Sequence, residues 1–370
     1  MLEITEIGST NEFFGLQDVW TKALVSSKDN NIFLTWEYMV NCVTQLGESE
    51  RLRILCVMDE SKIVAIVPLR QTCYSFGKWL AYDVLEPLAY RVADYTGLIL
   101  TDEKPEYLRL LIDHLYKNKY WDFVYLYNIQ PTYGKLFASL AQDKTGFPKF
   151  STFEGSVCPY ITLPDSIDEL MNGLRPKFRK NLRRSMKNLQ RDHGKMELKN
   201  YTDIGSLEET MQIFFDLHQK RWIKRGHAGA FARQKQREMS LNCARLFAEK
   251  GWLNLFFLVV KSKPVAAQCC FEYNRKMYYW LGGFDPAFSS YSVGNLLIMQ
   301  VLESCVERKI QEYDFMRGDE AYKFDWGAEF RRLLNIKFVN NRFHSKLYNL
   351  GISAAKKTKL AEAFDKSHYW

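Results

Sequence analysis

With 370 residues, 47% hydrophobic and 15% aromatic, the chain is not disordered, and its length predicts two domains of ordinary size. Lys and Arg number 51 against 43 Asp and Glu, a formal net charge of +8. Arg175, Lys177, Arg179, Lys180, Arg183, Arg184, Lys187 and Arg191 carry the whole surplus, because residues 175–191 hold no acid and the remainder is balanced, which excludes a uniformly basic, nucleic-acid-coating chain.

The N-terminal MLEITEIGST has two glutamates and no cation before any apolar run, the reverse of a signal peptide. The longest strongly apolar run, about Leu253 to Val260, is far short of the roughly 18 residues of a membrane span. A cytoplasmic location is expected, with peripheral contact at the inner membrane face left open. Helical spacing of Phe14, Leu16, Val19, Trp20 and Leu24 predicts a helix over 11–27, and a second follows over 36–46. Residues 51–58 and 62–74 read as strands around Asp59-Glu60-Ser61, rich in Ile, Val and Leu. A helix over Pro105–Lys117, a strand over Trp121–Tyr127, a helix over 132–142 and a β-rich stretch over 147–163 complete the first half.

The second half repeats this grammar. Ser166 with Glu169 reads as a capping box, and Pro176 opens the basic helix. Helices over 206–224 and 233–250 precede strands over 253–260 and 264–273, with Ser262-Lys263 at the turn. A strand Met277–Gly282, a helix Ser292–Arg308 and a strand Glu312–Met316 follow. RLRILCVMDESKIVAIVPLRQ and WLNLFFLVVKSKPVAAQCCFEY are each strand, polar turn, strand, and each is followed by a helix and an aromatic-acidic strand, YWDFVYLY or QEYDFMRG. This order predicts two α/β (α+β) domains of one fold, over 1–160 and 161–370, each a mixed sheet flanked by helices.

Eight cysteines form no C-x-x-C and sit mostly in apolar stretches, so buried reduced thiols are expected and no metal site. The six histidines are scattered, and His218, on a helical pattern, reads as structural. Chemistry concentrates in two segments. In WLGGFDPAFSSYSVGNLLIMQ, Gly282 and Gly283 end a strand and a loop of small residues opens a helix. Such a loop can aim backbone N–H groups at a phosphate, aided by the helix dipole, or be a plain capped turn. In EYDFMRGDEAYKFDWGAEF a strand end is followed by Asp319, Glu320, Tyr322, Lys323 and Trp326. Acids, a phenol and an ammonium there supply base, acid and oxyanion roles, or merely a solvated helix start.

Together GFDPAFSSYSVGNLL (283–297) and DFMRGDEAYKFDW (314–326) resemble the GNAT acyltransferases, and within them the BioF2-like, CelD/FemAB-like branch. The first stretch stands where GNAT enzymes carry Q/R-x-x-G-x-G/A and lacks the leading Gln or Arg. The likeness covers about 165–340, the first half matching only as a degenerate copy without a comparable loop. It implies tandem GNAT-like domains with an acyl-CoA, acetyl-CoA first, held in the second by Ser290, Ser292, Val293, Gly294 and Asn295. It also implies N-acyl transfer, with Asp319 or Glu320 as base, Tyr322 as acid toward the thiolate and Lys323 stabilising negative charge. Asp285, Arg317 and Trp326 would shape the substrate pocket, although Asp285 could instead cap the turn before Pro286. Trp36 would offer an aromatic face to a sugar or lie in the core.

Phe178, Leu182, Met186 and Leu189 recur at helical spacing, so the basic helix has one apolar stripe. Its cations face water, an anionic polymer or the CoA phosphates, an anionic membrane surface, or a tRNA. Three functions follow. One is an acyl-CoA-dependent N-acyltransferase acting on a small or sugar-type amine, with surface-polysaccharide or cell-envelope synthesis implied by the family. Another is a Fem-like aminoacyl-tRNA-dependent transferase, against which the absence of a sustained heptad pattern counts. The last is a non-catalytic GNAT-like binding module.

Overall fold

The computed structural model describes residues 1–76, 80–118, 120–142, 148–342 and 345–346. In chain order the elements are β1 (Leu2–Ile7), α1 (Thr10–Phe14), α2 (Gln17–Ser26), α3 (Trp36–Val43), β2 (Glu50–Asp59), β3 (Lys62–Phe76), β4 (Leu80–Pro87), β5 (Ile99–Leu100), α4 (Pro105–Lys117), β6 (Phe123–Ile129) and α5 (Pro131–Gln142). Then come β7 (Phe150–Thr162), α6 (Ile167–Gly173), α7 (Pro176–His193), β8 (Met196–Tyr201), α8 (Leu207–Lys224), α9 (Gln234–Glu249), β9 (Leu253–Val260), β10 (Lys263–Tyr273) and β11 (Lys276–Phe284). The last are α10 (Val293–Glu307), β12 (Glu312–Asp314), α11 (Ala321–Asp325) and β13 (Glu329–Val339).

The chain forms two compact units, Met1–Ser156 with Arg332 onward, and Val157–Arg331. This differs from the expected division at 160. The chain after Arg332 does not stay with the second half, because β13 pairs antiparallel with β6, from Leu334 opposite Ile129 to Val339 opposite Phe123. Residues 347–370 of the expected second domain lie outside the described residues.

In the first unit the strand order is β1-β2-β3-β4-β6-β13, with β5 on β3. Leu108, Leu111, Leu115 and Phe137 of α4 and α5 join Val124, Leu126, Ile336 and Phe338 in one buried cluster. The helix expected over 11–27 is broken into α1 and α2 at Gly15-Leu16. A capping box of Ser9 and Glu12 starts the first piece. Trp36 is 4% exposed and stacks on Phe13 with centroids 4.1 Å apart, packing also against Trp20. It is a core aromatic and offers no face to a ligand.

In the second unit the order is β7-β12-β11-β10-β9-β8. Strand β9 is buried along its whole length, as its unbroken LNLFFLVV predicts for a central strand with both faces covered. The stripe of α7 docks on this unit's core. Leu182 and Leu189 are 2% and 0% exposed, and Phe178 and Met186 pack against the same cluster, beside Leu296, Leu297 and Val301 of α10. Burial of two such leucines alone is worth about 3–6 kcal/mol. Seven of the eight cysteines are buried and none forms a disulfide, and no group of metal-ligating side chains occurs among the described residues. No described helix is long and apolar enough to cross a membrane.

Candidate functional site

The site grows from a parting of two parallel strands. Strands β11 and β12 pair only at Lys276–Glu312, Met277–Tyr313 and Tyr278–Asp314. Beyond that, β11 runs on to Phe284 while the chain after Asp314 bends to β7, where Phe315 N–H and Gly318 N–H donate to the carbonyls of Pro159 and Val157, both at 2.9 Å. The edge of β11 from Tyr279 to Phe284 therefore has no strand partner on this side among the described residues. A gap between parting parallel strands, with a helix N-terminus at its end, is where α/β folds bind ligands.

The glycine pair keeps this strand in place. A Cβ on Gly283 would stand 2.3 Å from the backbone nitrogen of His218, so only glycine lets α8 sit this close on β11. A Cβ on Gly282 would lie 2.2 Å from the Tyr279 hydroxyl. Both belong to β11 itself, and the turn begins with Asp285. Its carboxylate accepts from Ala287 N–H at 3.0 Å and faces Lys220 and Lys263 at 3.7 and 3.6 Å. Burial pushes that carboxyl up, but the Ala287 N–H and the two lysines outweigh it and hold it below the usual aspartate value. Asp285 thus caps the 3-10 turn Pro286–Tyr291, the alternative foreseen for it.

Ser292 ends that turn in the left-handed region, φ 51°, and caps α10 by its backbone, since its side chain makes no cap hydrogen bond. Ser292 N–H donates to Ser289, and Asn295 and Leu296 N–H donate back to Ser292. That leaves the N–H groups of Val293 and Gly294 as the unsatisfied donors of the first turn. Val293 is 1% exposed, so only its backbone is available, whereas Ser290 and Ser292 are exposed and Asn295 is half-buried. A Cβ on Gly294 would meet only Phe284, at 3.8 Å, so the fold itself does not require glycine there.

In the second segment Met316 and Gly318 both have positive φ, 61° and 115°. Lys323, 3% exposed, clamps this bend. Its ammonium donates to the carbonyls of Arg317 and Gly318 at 3.0 and 3.1 Å, lies 3.4 Å from that of Met316, and pairs with Glu320 at 2.8 Å. Three hydrogens meeting four acceptors leave none for a substrate. This geometry is at odds with the charge-stabilising role expected of Lys323 and makes it the clamp of the loop. Glu320 is tied to that clamp. Asp319 is exposed, with no ion pair or hydrogen bond among the described residues, and Arg317 is half-buried. Trp326 is 1% exposed and packs edge-on to Phe178 at 5.1 Å, so it supports the wall from behind.

The phenols of Tyr322 and Tyr279 lie within each other's electrostatic reach. Burial pushes both phenols up, that of Tyr322 far above the ordinary value, with Arg221 pulling each the other way. Neither hydroxyl has a hydrogen-bond partner on a third residue among the described residues. Arg221, from α8, reaches the Gly282 carbonyl with Nη1 at 3.2 Å and lies 5.4 Å over the Phe284 ring. Its Nε is buried without a partner. Tyr279 and Arg221 were not singled out from sequence. Tyr279 reads as one apolar position of a strand, Arg221 as one cation of a helix, and they are 58 residues apart.

Residues 176–324 match the family described as acetyltransferase (GNAT) domain. That span therefore carries a GNAT-type acetyltransferase domain, and the fold of the whole chain is similar to those of several solved structures. FemX is similar over 94% of this chain and 99% of its own, at TM-score 0.66 and 12% identity. A conserved protein of unknown function from Bacteroides thetaiotaomicron VPI-5482 is similar over 92% of this chain and 100% of its own, at TM-score 0.56 and 13% identity. L-PGS from Bacillus licheniformis is similar over 90% and 93%, at TM-score 0.51 and 11% identity. No curated protein matches the chain in sequence.

Proposed function

We propose that the second unit is an acyl-CoA-dependent N-acyltransferase, acetyl-CoA being the first donor to test. The observation that carries this reading is the unpaired β11 edge, Tyr279–Phe284, leading to the two free N–H groups of Val293 and Gly294. The residues present fit the donor. Val293 and Gly294 N–H would hold a phosphate at the positive end of α10, with space beside Gly294, and the β11 edge would take an amide-bearing arm. The donor would supply a thioester, a carbonyl activated toward an amine.

The chain's own residues then have defined work. Asp319 takes the proton of the attacking amine, since Glu320 is held by Lys323. A free O–H of the Tyr279–Tyr322 pair donates to the oxygen or sulfur that gains charge. A phenol this far above a thiol's ordinary value of about 8.5 hydrogen-bonds the leaving thiolate rather than surrendering its proton. Arg221, whose Nη1 reaches the Gly282 carbonyl and whose Nε has no partner among the described residues, takes the charge-stabilising role. The acceptor is a primary amine on a small or sugar-type molecule, and an envelope polysaccharide precursor rests on the family resemblance alone.

Calorimetric titration with acetyl-CoA should give saturable binding that Tyr322→Phe and Tyr279→Phe retain, while each lowers turnover about 100-fold. No heat with any acyl-CoA would sink this reading. The whole-chain likeness to FemX favours one alternative, a Fem-like aminoacyl transfer, and heat with tRNA in place of acetyl-CoA would select it. Heat with neither would leave a non-catalytic binding module.

A further inference from the structure

Residues 175–191, the N-cap Arg175 and α7 as far as Arg191, carry the chain's charge surplus, and the acyl-transfer chemistry leaves most of it unused. Three of these cations have local work. Arg175 pairs with Asp325, Arg191 pairs with Asp192, and Arg179 donates to the carbonyls of Met171 and Asn172 at 3.1 and 3.2 Å, closing the end of α6. The other five are different. Lys177, Lys180, Arg183, Arg184 and Lys187 are all exposed, and none has an ion pair or hydrogen bond among the described residues. At 100° per residue they fall in an arc of about 120°, opposite the stripe of Phe178, Leu182, Ser185 and Leu189. From Lys177 to Lys187 the row is about 15 Å long at 1.5 Å per residue.

We propose that this face is a peripheral docking surface for an anionic lipid bilayer. Four to eight Lys and Arg on an amphipathic helix are the charge pattern that anionic headgroups recognise. The structure settles how such contact works. The stripe that an interfacial helix would bury in lipid is already committed to the core, with Leu182 and Leu189 at 2% and 0% exposure. The helix therefore cannot sink in, and attachment is electrostatic, reversible and steeply dependent on salt. All five cations are exposed along the convex side of one helix, which suits a plane more than a ligand to be enclosed. It also carries no aromatic side chain on which a base would stack, because Phe178, the one aromatic of α7 ahead of His193, is turned against Trp326.

The test uses the full chain and vesicles of phosphatidylcholine with or without about one third phosphatidylglycerol. About 1 kcal/mol per cation near such a surface is roughly fivefold each. The variant with Gln at 177, 180, 183, 184 and 187 should lose more than 100-fold in apparent affinity for the anionic vesicles. Acetyl-CoA binding and thermal unfolding should stay at wild-type values, so failure here is separate from failure of the acyltransferase reading. A second variant, with Gln at the exposed Lys22, Lys62, Lys117, Lys135 and Lys235, makes the same change in net charge elsewhere and should keep its binding. Exchanging Lys177, Lys180 and Lys187 for Arg should keep it too. Equal loss in both Gln variants, no binding to anionic vesicles at low salt, or α7-dependent binding of tRNA without vesicle binding would each overturn the proposal.

Discussion

Each unit contains a short parallel strand pair, and the two pairs have opposite fates. In the first unit β4 and β6 pair at Val84–Phe123 and Leu85–Val124 and then part, as β11 and β12 do in the second. There the chain fills its own opening. Thr96 N–H donates to the Asn128 carbonyl at 3.1 Å and its hydroxyl to the Tyr127 carbonyl, while Tyr90 stacks on Tyr127 with centroids 4.3 Å apart. Glu86, 1% exposed beside the gap, is saturated by Arg70, Thr72 and Tyr74. In the second unit the chain leaves the strand through a capped 3-10 turn into α10, and among the described residues no backbone pairs with the parted strand edge and two N–H groups have no acceptor. One architecture thus yields a self-plugged unit and a receptive one. The difference lies in whether the segment after the first parallel strand returns to the sheet or starts a helix.

The largest test of this contrast strikes the close approach that keeps the second opening in place. Gly283→Val would drive a side chain into the backbone of His218 and Leu217, at 2.3 and 2.5 Å from the first carbon. Backbone cannot swing aside as a side-chain tip can, so a loss of about 3 kcal/mol or more is expected in urea unfolding. A loss below about 1 kcal/mol would mean that α8 does not rest on β11 as described.

Next in size is a pH effect from the same helix. His218 is 1% exposed and its Nε2 accepts from Trp222 Nε1 at 2.9 Å, which needs a neutral ring. Burial, with a smaller push from Arg221 and a partial counter-pull from Gln219, lowers its pKa from 6.5 to about 4. The unfolded chain takes up this proton below pH 6.5 and the folded chain only near pH 4. Stability from this group is complete above 6.5 and is lost as pH falls toward 4, by about 3 kcal/mol. His218→Gln should flatten that slope. An unchanged slope would assign the acid sensitivity elsewhere.

What was legible in the sequence follows from the range of each signal. The α7 stripe, the long helices and the β9–β10 hairpin are periodic within one segment, and they stand where the pattern put them. The two chemical segments could be found because their backbone requirements are local: small residues before a helix, and polar groups after a strand. The Arg221–Tyr279–Tyr322 cluster could not, because it joins α8, β11 and α11 across the fold, and a tyrosine in an apolar strand looks like packing. The surroundings of Lys323 were hidden for a related reason. Its residue type suits charge stabilisation, but only coordinates reveal that neighbouring carbonyls already occupy its hydrogens. The destination of β13 was hidden too, since no local pattern in EFRRLLNIKFV says which sheet it completes.

The smallest predicted effects give the cleanest comparison, because they carry opposite signs in the two units. In the second, Gly294→Ala adds a carbon that meets only Phe284 at 3.8 Å, within a helix that prefers alanine. Stability should rise by up to about 1 kcal/mol. The same methyl would occupy space where a phosphate approaches the free N–H groups, so acetyl-CoA should bind about tenfold more weakly, a cost of about 1.4 kcal/mol. In the first unit, Thr96→Val keeps the backbone link to Asn128 and removes the hydroxyl that serves the Tyr127 carbonyl. Stability should fall by about 1 kcal/mol while acetyl-CoA binding stays unchanged. A more stable protein that binds worse, beside a less stable one that binds as before, would place the donor site in the open unit and a structural plug in the closed one. If instead Thr96→Val weakens acetyl-CoA binding and Gly294→Ala does not, the two units have been assigned the wrong way round.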